Sequence, residues 1–346
     1  MLLAGAALPV SAYAQCVTNT PAVDACRGGV RVTSVAVPAP SLALDFTVPG
    51  TLPPNVTSTR ASVGTYFDST GTMQTASANT PRWDYDPVSL ALRGVLIEDS
   101  RTNLLLNSAT LGTQSVTTTA VATTLSFYGT GTVTLSGSST AGPLTGAGAF
   151  PRRVSLTFTP TAGSLTLTVT GTVQNAQLEA GAFPTSWIPT TAAAVTRAAE
   201  AMGMPNDASF NAVTGTWQAE FIPAGGVGVA ANVVSGNTGS PNIGLGTDSR
   251  LAATIRGVAT VIAGQGPLFT FGAVNKAAFA YLSGASTGAA NGVAVGPAGA
   301  AFSVTGTTVR FGADGQNNLA ALNGCVRKAA YWPAVLSPAQ LAAVTT

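Results

Sequence analysis

The sequence contains no histidine, only two lysines (Lys276 and Lys328) and three cysteines in 346 residues. Without histidine, no Ser-His-Asp or Cys-His scheme is available, and no histidine-based zinc site either. Charged residues make up 8% of the chain, against about 25% in an ordinary soluble protein, and the formal net charge is +2. With no basic run, the chain lacks what phosphate neutralisation requires, so nucleic acid is not an expected partner. The longest apolar stretch, from Leu2 to Val10, is too short to span a membrane. No helix longer than about three turns is indicated by apolar spacing. The glycine-rich piece at 225–228 lacks the Lys-Ser/Thr ending of a phosphate loop.

What the chain has instead is 39 glycines, 21 prolines and abundant Thr, Ser, Ala and Val. That composition favours strands and turns, and the expected fold class is all-β. Ser164-Leu165-Thr166-Leu167-Thr168-Val169-Thr170 alternates strictly, and Val154-Ser155-Leu156-Thr157-Phe158-Thr159 nearly so. Turn residues separate such runs, as expected of a jelly-roll sandwich with one wet face. Farther on, Gly215-Thr216-Trp217-Gln218-Ala219-Glu220-Phe221 places Trp217, Ala219 and Phe221 on one face of a strand. Near the end, Ser337 and Pro338 read as the N-cap and first residue of a short helix. Cys325 lies in an apolar run and reads as a small core residue. Cys16 and Cys26 read either as a bridge stapling an extended arm or as separate thiols. The first 15 residues read as a retained hydrophobic anchor or as a signal peptide ending near Ala12-Tyr13-Ala14.

Charge is concentrated in one block. Thr80-Pro81-Arg82-Trp83-Asp84-Tyr85-Asp86-Pro87 is followed by Arg93-Gly94-Val95-Leu96-Ile97-Glu98-Asp99-Ser100-Arg101-Thr102-Asn103-Leu104-Leu105. No charged residue then occurs between Thr102 and Pro151. Thr59-Arg60-Ala61-Ser62 and Tyr66-Phe67-Asp68 precede the block. In content and order this series resembles the lead-in segment of bacteriophage tail-fibre and head-spike proteins. The run from Val173 to Thr190, with Trp187 as its aromatic, resembles the closing strand and exit loop of carbohydrate-binding-module-like jelly rolls in such fibres. There Trp187 is expected to cover the sandwich edge, with Arg197 marking the linker. The C-terminal run from Leu322 to Leu341 resembles the end of a concanavalin A-like (laminin-G-like) lectin domain.

Together these features predict an N-terminal anchoring arm (1–40), a lead-in segment (41–106), a jelly roll (107–200) and a concanavalin A-like sandwich (201–346). A strand over 30–37 is expected in the arm. The resemblance implies a virion subunit that joins other virion subunits through residues 1–40. It also implies a homo-oligomer, by default a trimer, that presents its sandwiches to a host surface glycan. A secreted or cell-surface lectin, a purely structural decoration protein and a polysaccharide-degrading fibre are the other readings.

Glycoside cleavage needs two carboxyls about 5–9 Å apart, and the close acidic pairs are Asp84/Asp86 and Glu98/Asp99. These acids, with Arg82, Arg93 and Arg101, are expected to form a structural ionic cluster, so no catalytic residue and no enzyme activity is predicted. Sugar contacts are expected among loop residues able to bind hydroxyls: Asp248, Asn275, Asp314, Asn317 and Asn318. No cofactor is expected. Calcium would have to come from the lectin resemblance, since no alternating Asp/Asn run is present.

Overall fold

The structure, a computed structural model, describes residues 35–205, 210–225, 230–314 and 320–346. Cys16, Cys26, the leading part of the arm, Asn317 and Asn318 lie outside the described residues. The chain is all-β, as expected, apart from one helix, Pro338–Val344. Ser337 caps that helix: its side chain accepts from the Gln340 N–H, while the Gln340 side chain accepts from the Ser337 N–H, and Pro338 opens the first turn.

The jelly roll packs two small antiparallel sheets. One orders Leu144–Thr145, Thr132–Gly137, Gly163–Thr170 and Gln114–Thr118; the other places Thr123–Gly129 between Gly148–Phe158 and Val173–Ala180. Strict alternation in Gly163–Thr170 puts Leu165 and Leu167 into a core with Leu125, Phe127, Val133 and Leu178. Thr123–Gly129 behaves differently, being buried on both faces. Its polar residues, Thr124 and Ser126, lie under covering chain: Thr124 donates to the Gly181 carbonyl, and Ser126 accepts from Arg153.

The C-terminal sandwich faces a seven-stranded sheet against an eight-stranded one. Trp217, Ala219 and Phe221 enter its core together with Phe279, Phe311 and Tyr331. Trp332 packs in a smaller cluster under the helix, and its indole N–H donates to the Pro38 carbonyl. Cys325 is buried against Leu96 and Ile222.

The linear division at 106 and 200 does not describe how these sheets assemble. Leu42–Asp45 and Leu92–Ile97 pair with successive stretches of one edge of Gly324–Trp332, and Trp83–Tyr85 extends the sheet beyond Leu92–Ile97. Thr57–Thr59 joins the opposite sheet beside Ala201–Pro205. The predicted lead-in segment therefore supplies strands to both sheets of the C-terminal sandwich. The jelly roll is an insertion that leaves this sandwich after Ile97 and returns to it at Ala201. Arg101–Asn103 pairs with Val195–Arg197 to form the neck. Gly94 makes the edge pairing sterically feasible: its φ is +121°, and a Cβ there would lie 2.4 Å from the Val326 carbonyl oxygen. Of the strand expected at 30–37, residues 35–37 are not in a strand; Ala36 instead accepts from the Gln340 side chain.

Strand donation from 42–97 has a direct consequence. A fragment beginning at residue 107 loses four strands that complete the C-terminal sandwich. It is expected to aggregate or remain unfolded, whereas a fragment beginning at residue 35 gives a soluble, cooperatively melting species. Size-exclusion chromatography with circular dichroism distinguishes the two outcomes.

Candidate functional site

At the neck, where the chain leaves one sandwich and re-enters it, five charged side chains meet: Arg60, Arg82, Arg197, Glu98 and Glu200. None is more than 4% exposed. Glu200 takes the Arg60 guanidinium at 3.0 Å and that of Arg82 at 2.6 Å on Oε1, while its Oε2 accepts the Glu98 backbone N–H at 3.0 Å. Glu98 Oε2 pairs with Arg82 at 2.7 Å and Arg197 at 3.1 Å. Ser186, from the jelly-roll exit loop, donates its N–H to Glu98 Oε1 at 2.7 Å and its hydroxyl to Oε2 at 2.6 Å. Arg197 also donates to the Asp99 carbonyl. One network, a clamp, thus ties together the lead-in segment, the two chain crossings beside the neck and the exit loop.

The electrostatics follow from this crowding. Burial works against ionising Glu98, but Arg197, Arg82 and the two Ser186 bonds outweigh it and bring the carboxyl down to about 2. Asp84 goes the other way. Its burial outweighs the Phe67 N–H and the Arg93 and Arg82 guanidiniums and pushes the carboxyl up to about 6. Burial opposes charge on Arg82 too, but Glu200 and Glu98 hold it more firmly protonated than usual.

The predicted ionic cluster is therefore real only in part. Arg82 and Glu98 are at its centre. Asp84 pairs with Arg93 at 3.4 Å, to one side. Arg101 turns to Glu179, at 3.7 Å, and to the Phe183 ring. Asp99 accepts from the Ala321 N–H and the Asn323 amide. Asp86 is outside altogether: its carboxylate accepts from the Val88 and Ser89 N–H groups and shapes a turn. The strand ends at Tyr85, with a bulge after Asp84, so Asp84 and Asp86 do not share a face. Sequence reasoning missed Arg60, Glu200 and Ser186, and it assigned Arg197 only to a linker. The usable signal was context: in a chain so poor in charge, Arg197 and Glu200 stand among alanines.

Of the predicted sugar contacts, the described residues Asp248, Asn275 and Asp314 are each bonded within the fold. Asp248 is exposed and accepts the Arg250 N–H within a turn. Asn275 is buried, accepting from Thr270 and Asn291 and donating to the Thr270 and Ala273 carbonyls. Asp314 is buried beside Arg256, its ion-pair partner. Each is taken up by the fold's own bonding. Among the described residues no three Asp, Glu or Cys side chains converge. Nor is any described helix long and apolar enough to cross a membrane.

Cavities are also present among the described residues. One, of about 220 Å³, opens in the C-terminal sandwich among Phe210, Trp217, Tyr281, Ser240 and Thr305. The other, of about 140 Å³, lies against the clamp, between the lead-in segment (Tyr66, Phe67, Asp84, Arg93), the jelly roll (Tyr128, Arg153) and the exit loop (Pro184 to Trp187). Trp187 is a half-buried wall of this second cavity, and its carbonyl accepts the Thr65 hydroxyl at 2.5 Å.

No family model matches the chain, and no characterised protein matches it by sequence. Among solved structures, it is similar to domain 4 of AbnA, a GH43 extracellular arabinanase from Geobacillus stearothermophilus solved with arabinotriose. The identity is 12%, over 47% of this chain and 82% of that one, with a TM-score of 0.36. A Bacteroides ovatus protein described as carbohydrate binding aligns at 11% identity over 70% and 84%, with a TM-score of 0.30. A heptameric SAP-like pentraxin from Limulus polyphemus aligns at 10% identity over 38% and 69%, with a TM-score of 0.24. Alignments this loose carry no argument about the site.

Two measurements test the clamp. Removing one partner of a buried ion pair strands the others, so Glu200→Ala is expected to destabilise by about 3–5 kcal/mol. Asp86→Ala, by contrast, removes only a turn bond and costs about 1 kcal/mol. Urea denaturation of both variants gives the comparison.

The second measurement is pH dependence. Glu98 has a folded value below its ordinary one, so its contribution, roughly 3 kcal/mol, is complete above about pH 4.5 and lost as pH falls towards 2. Asp84 is raised, so it favours the fold at low pH and weakens it as pH climbs from about 4 through 6. Asp84→Asn should therefore gain on the wild type between pH 4 and 7, and Glu98→Gln should flatten the acid limb below pH 4.5. Urea midpoints across pH 2.5–7.5 measure both.

Proposed function

We propose that this protein is a structural subunit of a phage or phage-like particle, attached through residues 1–40, that holds two β-sandwiches towards a host-surface polysaccharide and binds it without cutting. It acts as a homo-oligomer, a trimer by analogy with fibres, so that weak single-site contacts add through avidity. The observation that carries this reading is the role of the charged block. The series that resembles phage-fibre segments is the one that donates edge strands to the C-terminal sandwich and clamps the jelly-roll neck. Such a part is mechanical: it fixes one display domain against another.

Cleavage is the rival reading, and Asp84 with Glu98 would be its natural acid and nucleophile, since both line the same cavity. Asp84, pushed up to about 6, would suit a general acid. Glu98 does not suit the second role. Both its oxygens are engaged, by Ser186 on one side and by Arg82, Arg197 and the Ser186 hydroxyl on the other. A carboxylate whose charge is drawn by two guanidiniums and two Ser186 donors is a poor nucleophile towards an anomeric carbon.

The full chain is expected to bind one or more bacterial surface polysaccharides on a glycan array and to release no reducing ends from them. Negative-stain microscopy should show it as a projection on native particles. Reducing-end release that is lost in Asp84→Asn would replace this reading with an enzymatic one. Absence of all glycan binding would leave a decoration protein.

A further inference from the structure

We propose that the Asp84–Arg93 pair, in the cleft beside the clamp, is the polar contact of a site for one uncharged sugar unit, whose ring hydroxyls bridge the two side chains. The site rests on the glycan-binding reading above and gives it a location and a ligand class.

Both members of the pair have bonding capacity to spare. Asp84 Oδ1 accepts the Phe67 N–H at 3.0 Å, and its Oδ2 faces Arg93 Nη1 at 3.4 Å. A carboxylate offers about four acceptor positions, so Asp84 uses only part of its capacity. Its contact with Arg93 is also long, since bonds between such charges run to about 2.7–2.9 Å. Among the described residues, the Arg93 guanidinium donates from Nη1 to Asp84 and makes no other bond. Neither side chain is sealed from solvent: Arg93 keeps 24% of its side-chain surface and Asp84 keeps 7%. A ring hydroxyl set beside the pair donates to the carboxylate, and its neighbour on the ring accepts from the guanidinium.

The charges around the cleft select against ions. Two carboxylates, Asp84 and Glu98, and two guanidiniums, Arg93 and Arg153, line it, so the lining charge sums to zero. An anion there is set against both acids, and a cation against both arginines. A hydroxyl is donor and acceptor in one, and it meets both signs without adding a charge. Glu98 is occupied by the clamp, and Arg153 by the Thr185 carbonyl and the Ser126 hydroxyl. That leaves Asp84 and Arg93 as the pair to bridge. The remaining walls suit a ring. Tyr66, Phe67 and Trp187 line the cleft and are only half-buried, so each offers reachable aromatic surface to the apolar face of a sugar. Size sets the last limit: at roughly 30 Å³ per water, about 140 Å³ holds some five waters. That is the scale of one pyranose ring and not of an oligosaccharide.

The test uses the full chain and ligand-observed NMR, beside a glycan array. The probes are the neutral hexoses D-glucose, D-galactose and D-mannose, with D-glucuronate and D-glucosamine as their charged counterparts. Two variants of nearly unchanged shape are compared, Asp84→Asn and Arg93→Gln, and thermal melts confirm that each is folded. Wild-type binding of a neutral hexose or a neutral arrayed glycan, weakened at least tenfold in either folded variant, supports the proposal. Binding of glucuronate or glucosamine as tightly as the neutral hexoses, or of charged arrayed glycans alone, overturns the uncharged class. Wild-type binding that stays within tenfold in both folded variants overturns the site while leaving the glycan-binding function in place. If the wild type binds neither a probe nor any arrayed glycan, the function and the site fall together.

Discussion

The arrangement of the whole chain depends on five buried charges at a two-stranded neck. An inserted domain connected by two chain crossings is free to swing unless something fixes both crossings to the body. Apolar contact at the neck would bury surface but tolerate many orientations, because dispersion and the hydrophobic effect are non-directional. Guanidinium forks are directional, and three of them here address two carboxylates whose other bonds go to backbone on different segments. The network also carries a visible cost. The Nε–H groups of Arg82 and Arg197 are buried without acceptors, and three guanidiniums against two carboxylates leave an excess positive charge. Buried ion pairs of this kind add little net stability compared with good apolar packing. Their use at this position is best explained as specification of one geometry.

How much of this was legible in the residues depended on whether a feature was local. The alternation at 163–170, the burial of Trp217, Ala219 and Phe221, the Ser337–Pro338 helix start and the core position of Cys325 all follow from local pattern, and each is found as expected. The charged block was recognisable as structural because it concentrates ions in an otherwise neutral chain. What local pattern could not give was pairing over long separations. Arg60 meets Glu200 across 140 residues, and Asp99 meets Asn323 across 224. Nothing in the spacing of either residue announces its partner. The same limit explains why the lead-in segment read as a separate unit: an edge strand such as Leu42–Asp45 looks identical whether it pairs with its neighbour in sequence or with Lys328–Tyr331. The loop residues chosen for sugar contact that are described, Asp248, Asn275 and Asp314, have structural partners for a related reason. Asp and Asn are favoured in turns because they bond to nearby backbone, and Asp248 does so within its own turn.

Low charge elsewhere in the chain becomes intelligible once the sheets are in view. The outer face of the four-stranded jelly-roll sheet is covered by hydroxyls that pair across strands, Ser115 with Thr166 at 2.8 Å and Thr132 with Thr145 at 3.1 Å. Threonine suits such a face twice over, since its β-branching fits the pleat and its hydroxyl keeps the surface wet. The central strand of the opposite sheet has no wet face to cover, because the exit loop and Arg153 lie over Thr123–Gly129. The buried acidic and basic groups Arg60, Arg82, Glu98, Arg197 and Glu200 are gathered where covering chain meets sheet, at the neck.

The cleft occupies that neighbourhood, and its position has an energetic consequence. Its walls come from the lead-in segment, the jelly roll and the exit loop, with Ala224 and Asn323 of the C-terminal sandwich, and the clamp fixes these pieces against one another. A ligand that binds there binds the clamped arrangement and not the loosened one, so it stabilises the neck by RT ln(1 + [L]/Kd). For a single weak contact that increment is small, but it works against any force that pulls the jelly roll away from its base.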